Sequence, residues 1–120
     1  MDKLGPDIKI SFRAPKEFVQ KFDTLAKIEG HTRSSLARLA LKKLFAELQK
    51  DENLLIELRK LPFVYRFSTE KNMKQYSISL RDDDYYLIKS IQEYCVRYDL
   101  SVSQIIRAGM AYMLKIYNAL

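Results

Sequence analysis

Two short stretches constrain what this chain can fold into. Residues 8–13 read Ile-Lys-Ile-Ser-Phe-Arg, and residues 76–81 read Tyr-Ser-Ile-Ser-Leu-Arg. In both, apolar or aromatic side chains alternate with polar ones, the period of a strand with one face to bury and one to leave in water. A lone strand does not persist, and a pair still needs cover on its apolar face. Each stretch is therefore the natural partner of the other, and the helices between and after them must supply the cover.

The helical pattern is clear. Pro15 suits a first turn and Glu17 the positive end of the helix dipole, and Phe18, Phe22, Leu25 and Ala26 then recur at helical spacing until Gly30 offers a stop. His31 falls in the turn, with solvent exposure as its expected state. Thr32-Arg33-Ser34-Ser35 supplies hydroxyls to cap a second helix, which carries Leu36, Leu39, Ala40, Lys43 and Leu44 and runs to about residue 49. That start is either an ordinary capped helix or a seat for a phosphate, given its free N–H groups and Arg33.

The same order then returns. Asp82, Asp83 and Asp84 are expected to cap a helix carrying Leu87, Ile91, Tyr94, Cys95 and Tyr98, with core or partial burial for Tyr85 and Tyr86. Ser101-Val102-Ser103 stands where Thr32-Arg33-Ser34 stood, and residues 105–109 match residues 36–40. Ser77, Ser79 and Arg81 take the places of Lys9, Ser11 and Arg13, and one extra residue after the second strand completes the alignment. This internal repeat is the most specific feature of the sequence.

The fold class is thus mainly α with a short antiparallel β-ribbon. Residues 1–6 read as a flexible arm, 7–49 as a first unit, 50–74 as a connector and 75–120 as a second unit. The connector's Leu54, Leu55, Leu58 and Leu61 suggest a short helix ended by Pro62, packed on the domain or on a neighbouring molecule. Apolar residues make up 48% of the 120, which excludes a disordered chain. A formal charge of +6 favours an acidic partner, nucleic acid ahead of membrane, because no stretch is apolar enough to span. Cys95 is the one cysteine, so a core thiol is expected and not a disulfide or a metal cluster. The first residues lack the apolar run of a secretory signal, which points to the cytoplasm, or a host's cytoplasm if the chain is viral. A single histidine and a carboxylate run without spaced histidines speak against an enzyme, a metal site or a cofactor.

Strand, helix, hydroxyl-rich turn and second helix, twice over, resemble the ribbon-helix-helix family of DNA-binding proteins across residues 7–49 and 75–117. The tandem single-chain form looks like that of archaeal viral transcription regulators. The resemblance implies that paired strands enter the major groove of double-stranded DNA while the helices form the core. It assigns base reading to Lys9, Ser11 and Arg13, with Ser77, Ser79 and Arg81 in the second unit. It assigns phosphate binding to Thr32, Arg33, Ser34 and Ser35, with Ser101, Val102 and Ser103 as their counterparts. The groove code agrees, since arginine and lysine match guanine acceptors and serine serves several bases. The second unit departs from the pattern at Asp82–Asp84, where carboxylates either cap a helix away from DNA or repel phosphates.

Pairing within the chain would give a ribbon with unlike halves and an asymmetric site, whereas pairing between chains would give two palindromic elements. The connector favours the first, because joining the strands removes the concentration dependence of pairing. Self-association along DNA is also expected. The rival readings are a protein-interaction module of the antitoxin type and a helical oligomer that binds no DNA, using residues 54–61 and 112–117 as contacts.

Overall fold

The computed structural model describes residues 8–61, 64 and 73–120. The expected arm, and the aromatic stretch 63–67 apart from Val64, lie outside the described residues. The alternation at the start of the chain becomes strand β1, Ile8–Pro15, and its partner is β2, Met73–Leu80. They pair antiparallel within the one chain, with Ser11 opposite Ser77, Ile8 opposite Leu80 and Pro15 opposite Met73. Both strands depart from the expected limits. β1 runs on to Pro15, which a ladder tolerates at its end, and Pro15's partner is Met73, so β2 begins earlier than residue 76 and stops before Arg81.

The apolar face of this ribbon is the floor of the core. Phe12, Ala14, Ile78 and Leu80 are buried, Ile10 and Tyr76 half-buried. The Phe12 and Tyr76 rings lie 5.8 Å apart across the strands.

Helix α1, Lys16–Ile28, follows β1 directly, with Pro15 in extended geometry as its N-cap and Phe18, Val19, Phe22, Leu25 and Ala26 buried. Gly30, at φ +76°, makes the left-handed turn into α2, Arg33–Leu48, whose N-cap Thr32 accepts from the Ser35 N–H. Helix α3, Asn53–Arg59, places Leu55 and Leu58 in the core against α5, so these connector leucines pack on the domain itself. Helices α4, Tyr86–Tyr98, and α5, Val102–Ile116, complete the chain, with Asp99 in left-handed geometry between them.

Between β2 and α4 the three aspartates form a short 3-10 turn, Asp82–Asp84, not a helix cap; α4 has no side-chain cap at its start. Asp84 instead turns inward, where Lys42 lies 2.6 Å and Arg38 3.1 Å from its carboxylate oxygens. Burying a carboxylate is costly unless cations meet it, and α2 supplies two. Tyr85 is half-buried as expected; Tyr86 is exposed.

The long helices cross over the ribbon. α2 packs on α5 and covers β2, while α5 covers β1, so each strand is roofed by the helix from the other end of the sequence. At the α2–α5 contact Gly109 has no side chain, and a Cβ there would stand 2.9 Å from Leu41 Cδ2. Among the described residues no helix is long and apolar enough to cross a membrane.

Gly109 separates two effects. Gly109→Ala should change stability by less than about 1 kcal/mol, because gained helix propensity offsets a small displacement of Leu41. Gly109→Val should destabilise by roughly 1–3 kcal/mol through overpacking. Urea denaturation of the two variants checks this, and equal losses would show that the close approach does not matter.

Candidate nucleic-acid interface

The ribbon's second face is polar and open. Lys9, Ser11 and Arg13 project from β1 and are exposed; opposite them stand Ser79, Ser77 and Gln75, of which Ser77 and Gln75 are exposed and Ser79 half-buried. Neither strand contains a carboxylate. Five of the six expected base readers thus share one face. Arg81 does not, because it lies past the end of the ladder, and Gln75 holds the sixth place instead.

The strand correspondence therefore moves by two residues from the one expected. The burial sequence of residues 8–14 recurs in residues 74–80 at every position but one, Arg13 being exposed and Ser79 half-buried, and is centred on the Ser11–Ser77 pair, so Lys9 corresponds to Gln75 and Arg13 to Ser79. The helices keep the expected alignment, with Phe22 against Ile91 and Leu36 against Ile105, all buried. The two residues lost from the strand, with the one already expected, are the three of the 3-10 turn.

Side chains from the two long helices fix the ribbon's edges. The Ser79 N–H donates to Ser34 Oγ at 2.9 Å, and Arg38 Nη1 donates to the Ser79 carbonyl at 2.7 Å. The Arg13 N–H donates to Ser103 Oγ at 2.9 Å, and Arg107 donates to the Arg13 carbonyl. Serine and arginine are four apart in both helices, one turn, so both reach one strand residue. Burial pushes the Arg107 guanidinium down to about 10, which leaves it charged at neutral pH. It also donates to the Val64 carbonyl at 3.1 and 3.2 Å.

An antiparallel residue that turns N–H and C=O outward is followed two positions on by another that does the same. Lys9 and Ser11 on β1, with Gln75 and Ser77 on β2, therefore offer outward backbone groups beside their exposed side chains.

The clamps also bring the two helix starts to the ribbon. At α2, Thr32 caps the helix and Ser34 is engaged by Ser79. Ser35 Oγ lies 2.8 Å from His31 Nδ1, so His31 has a partner that its place in the turn did not suggest. Arg33 is held by Asp23 through bonds of 2.8 and 2.7 Å and stacks 4.9 Å above the Tyr76 ring. The bond to Asp23 raises the Arg33 pKa further. At α5, Ser101 forms a capping box with Gln104, Ser103 receives the Arg13 N–H, and Val102 is exposed where α2 has Arg33.

The elements so arranged can present hydrogen-bond donors to base edges along the ribbon and N–H groups to phosphates at each flank. Cys95 is a half-buried thiol whose pKa burial raises, remote from this face in sequence and packed against the core. The serine–arginine spacing was visible in both repeats, but its target was not, because the target is a backbone group in another element. No described protein family, curated protein or solved structure matches the chain.

Replacing Arg107 by Met removes the donor to two carbonyls and should destabilise by about 1–3 kcal/mol for each one left buried. Urea unfolding measures the loss, and amide exchange at Arg13 should quicken in the same variant. An unchanged urea midpoint would count against the clamp as a stabilising contact.

Proposed function

We propose that this chain is a sequence-specific double-stranded-DNA-binding regulator of transcription, of the ribbon-helix-helix type, with two units (7–49 and 75–120) paired as an intramolecular pseudo-dimer through the connector 50–74. The single observation that carries this reading is the exposed, carboxylate-free polar face formed by Lys9, Ser11, Arg13, Gln75 and Ser77, with a helix start tethered at either end. A two-stranded ribbon fits the major groove, and these side chains match its donor and acceptor pattern. The reading places the protein in the cytoplasm, or a host's cytoplasm for a viral chain. It includes self-association along the duplex, for which Ile28 and Val96, 72% and 83% exposed, offer apolar surface.

The flanks add affinity without sequence information. Open N–H groups at the starts of α2 and α5 attract phosphate, and the net positive charge makes binding salt-dependent. The inward turn of Asp84 helps, since that carboxylate is neutralised by Lys42 and Arg38 instead of facing DNA. Its hold on Lys42 raises that ammonium's pKa.

Arg13→Ala should lose roughly 1–3 kcal/mol on a preferred duplex and far less on a scrambled one. Arg33→Ala should weaken both alike, because it leaves the Asp23 carboxylate without its cation at the flank proposed to meet phosphate. Equal losses for Arg13→Ala would remove base reading from the proposal, and no binding by the unaltered chain would remove the proposal itself. Titrations at two salt concentrations provide both tests, and cooperative isotherms would report self-association.

Asp23→Asn should strengthen binding to every duplex. It frees Arg33 for phosphate, and the log–log salt slope should steepen by about 0.9 if one contact is gained. Unchanged affinity would mean that Arg33 stays with Tyr76 and does not touch the backbone.

A further inference from the structure

We infer that the ribbon reads a duplex element in one orientation only, with guanine contacts confined to β1 and Gln75 as the base reader on β2. This rests on the DNA-binding reading above and adds the form of the site to it. The register supplies the reason. Its centre is the Ser11–Ser77 pair, and the positions exchanged about that centre carry unlike side chains: Lys9 against Gln75, and Arg13 against Ser79.

The two ends of the ribbon consequently differ in chemistry. At one end Arg13 and Gln75 are cross-strand neighbours. A guanidinium donates two bonds to guanine O6 and N7, and a carboxamide donates and accepts at adenine N7 and N6. At the other end Lys9 faces Ser79, which is half-buried and whose N–H is already given to Ser34. That end has one donor-only cation and a serine of little selectivity. A palindrome presents the same bases to both ends, so it would satisfy one and mismatch the other. The flanks are unlike as well, with Arg33 at the start of α2 beside the Lys9–Ser79 end and the apolar Val102 at the start of α5 beside the Arg13–Gln75 end.

The unlike halves can be made alike. Gln75→Lys with Ser79→Arg gives β2 the lysine, serine and arginine of β1 at corresponding positions. Gln75 is exposed, and at Ser79 the arginine would occupy the place Arg13 holds on β1.

The test is selection from a random duplex pool with the full chain and with this double variant. The unaltered chain should enrich a non-palindromic element with guanine preferences from Lys9 and Arg13 and an adenine preference at one end. The double variant should enrich a palindrome. Gln75→Ala, a truncation of an exposed side chain, should lose the adenine preference by about tenfold and keep the guanines. A palindromic element for the unaltered chain, or an adenine preference intact in Gln75→Ala, would overturn the inference while leaving DNA binding in place. An unchanged element for the folded double variant would also overturn it. Absence of any enrichment by the unaltered chain would overturn the DNA-binding reading and this inference with it.

Discussion

The structure depends on how a two-stranded ribbon is kept in place. Such a ribbon has two free edges and one face to cover, and in water it is marginal without both being met. Here the cover is α2 and α5, and the edges are held by the same helices through Ser34 with Arg38 and Ser103 with Arg107. Each pair takes the N–H and the C=O of one strand residue. The clamps run across the fold, from α2 to β2 and from α5 to β1, so neither strand can leave without disturbing the helix contributed by the other end of the chain. That crossing fixes the register, and the register decides which side chains face outward.

The two clamps are alike in the strand groups they hold and unlike behind them. Arg38 leans on Asp84, which Lys42 also meets, so charge on α2 is offset by a carboxylate from the turn after β2. Arg107 is more deeply buried and bonds the Val64 carbonyl of the connector. Tying the connector to α5 in this way gives it a part in holding β1. In both cases the cations serve the backbone from the inner side, while the polar face keeps Lys9 and Arg13 in solvent. This separation of structural from exposed cations is what makes the proposed groove reading physically coherent.

Much of the candidate face was legible in residues 8–13, because strict alternation specifies a face without knowledge of the partner. Ser77 and Ser79 were legible for the same reason. Gln75 was not, since the shared arginine of the two stretches suggested an alignment ending at residue 81, and only burial at Phe12 and Ile78 shows the displacement. Acidic residues before a helix commonly cap it, but these aspartates form a 3-10 turn, and the two cations that draw Asp84 inward, Arg38 and Lys42, lie far earlier in the chain, on α2. Arg33 and Ser35 likewise have partners, Asp23 and His31, that helix-start chemistry alone does not reveal.

By itself the sequence determined the kinds of element, their order, the faces that must be buried and the recurrence of one pattern. These follow from periodicity, capping residues and glycine, which act over a few residues. The tertiary structure decided the intrachain pairing, the register centred on Ser11 and Ser77, and the crossed clamps. Those choices compare alternatives that local physics leaves nearly equal, and what separates them is the fit of side chains from distant elements around Gly109, Asp84 and Arg107. Register matters most, because moving one strand past the other changes every cross-strand neighbour on the face that meets solvent.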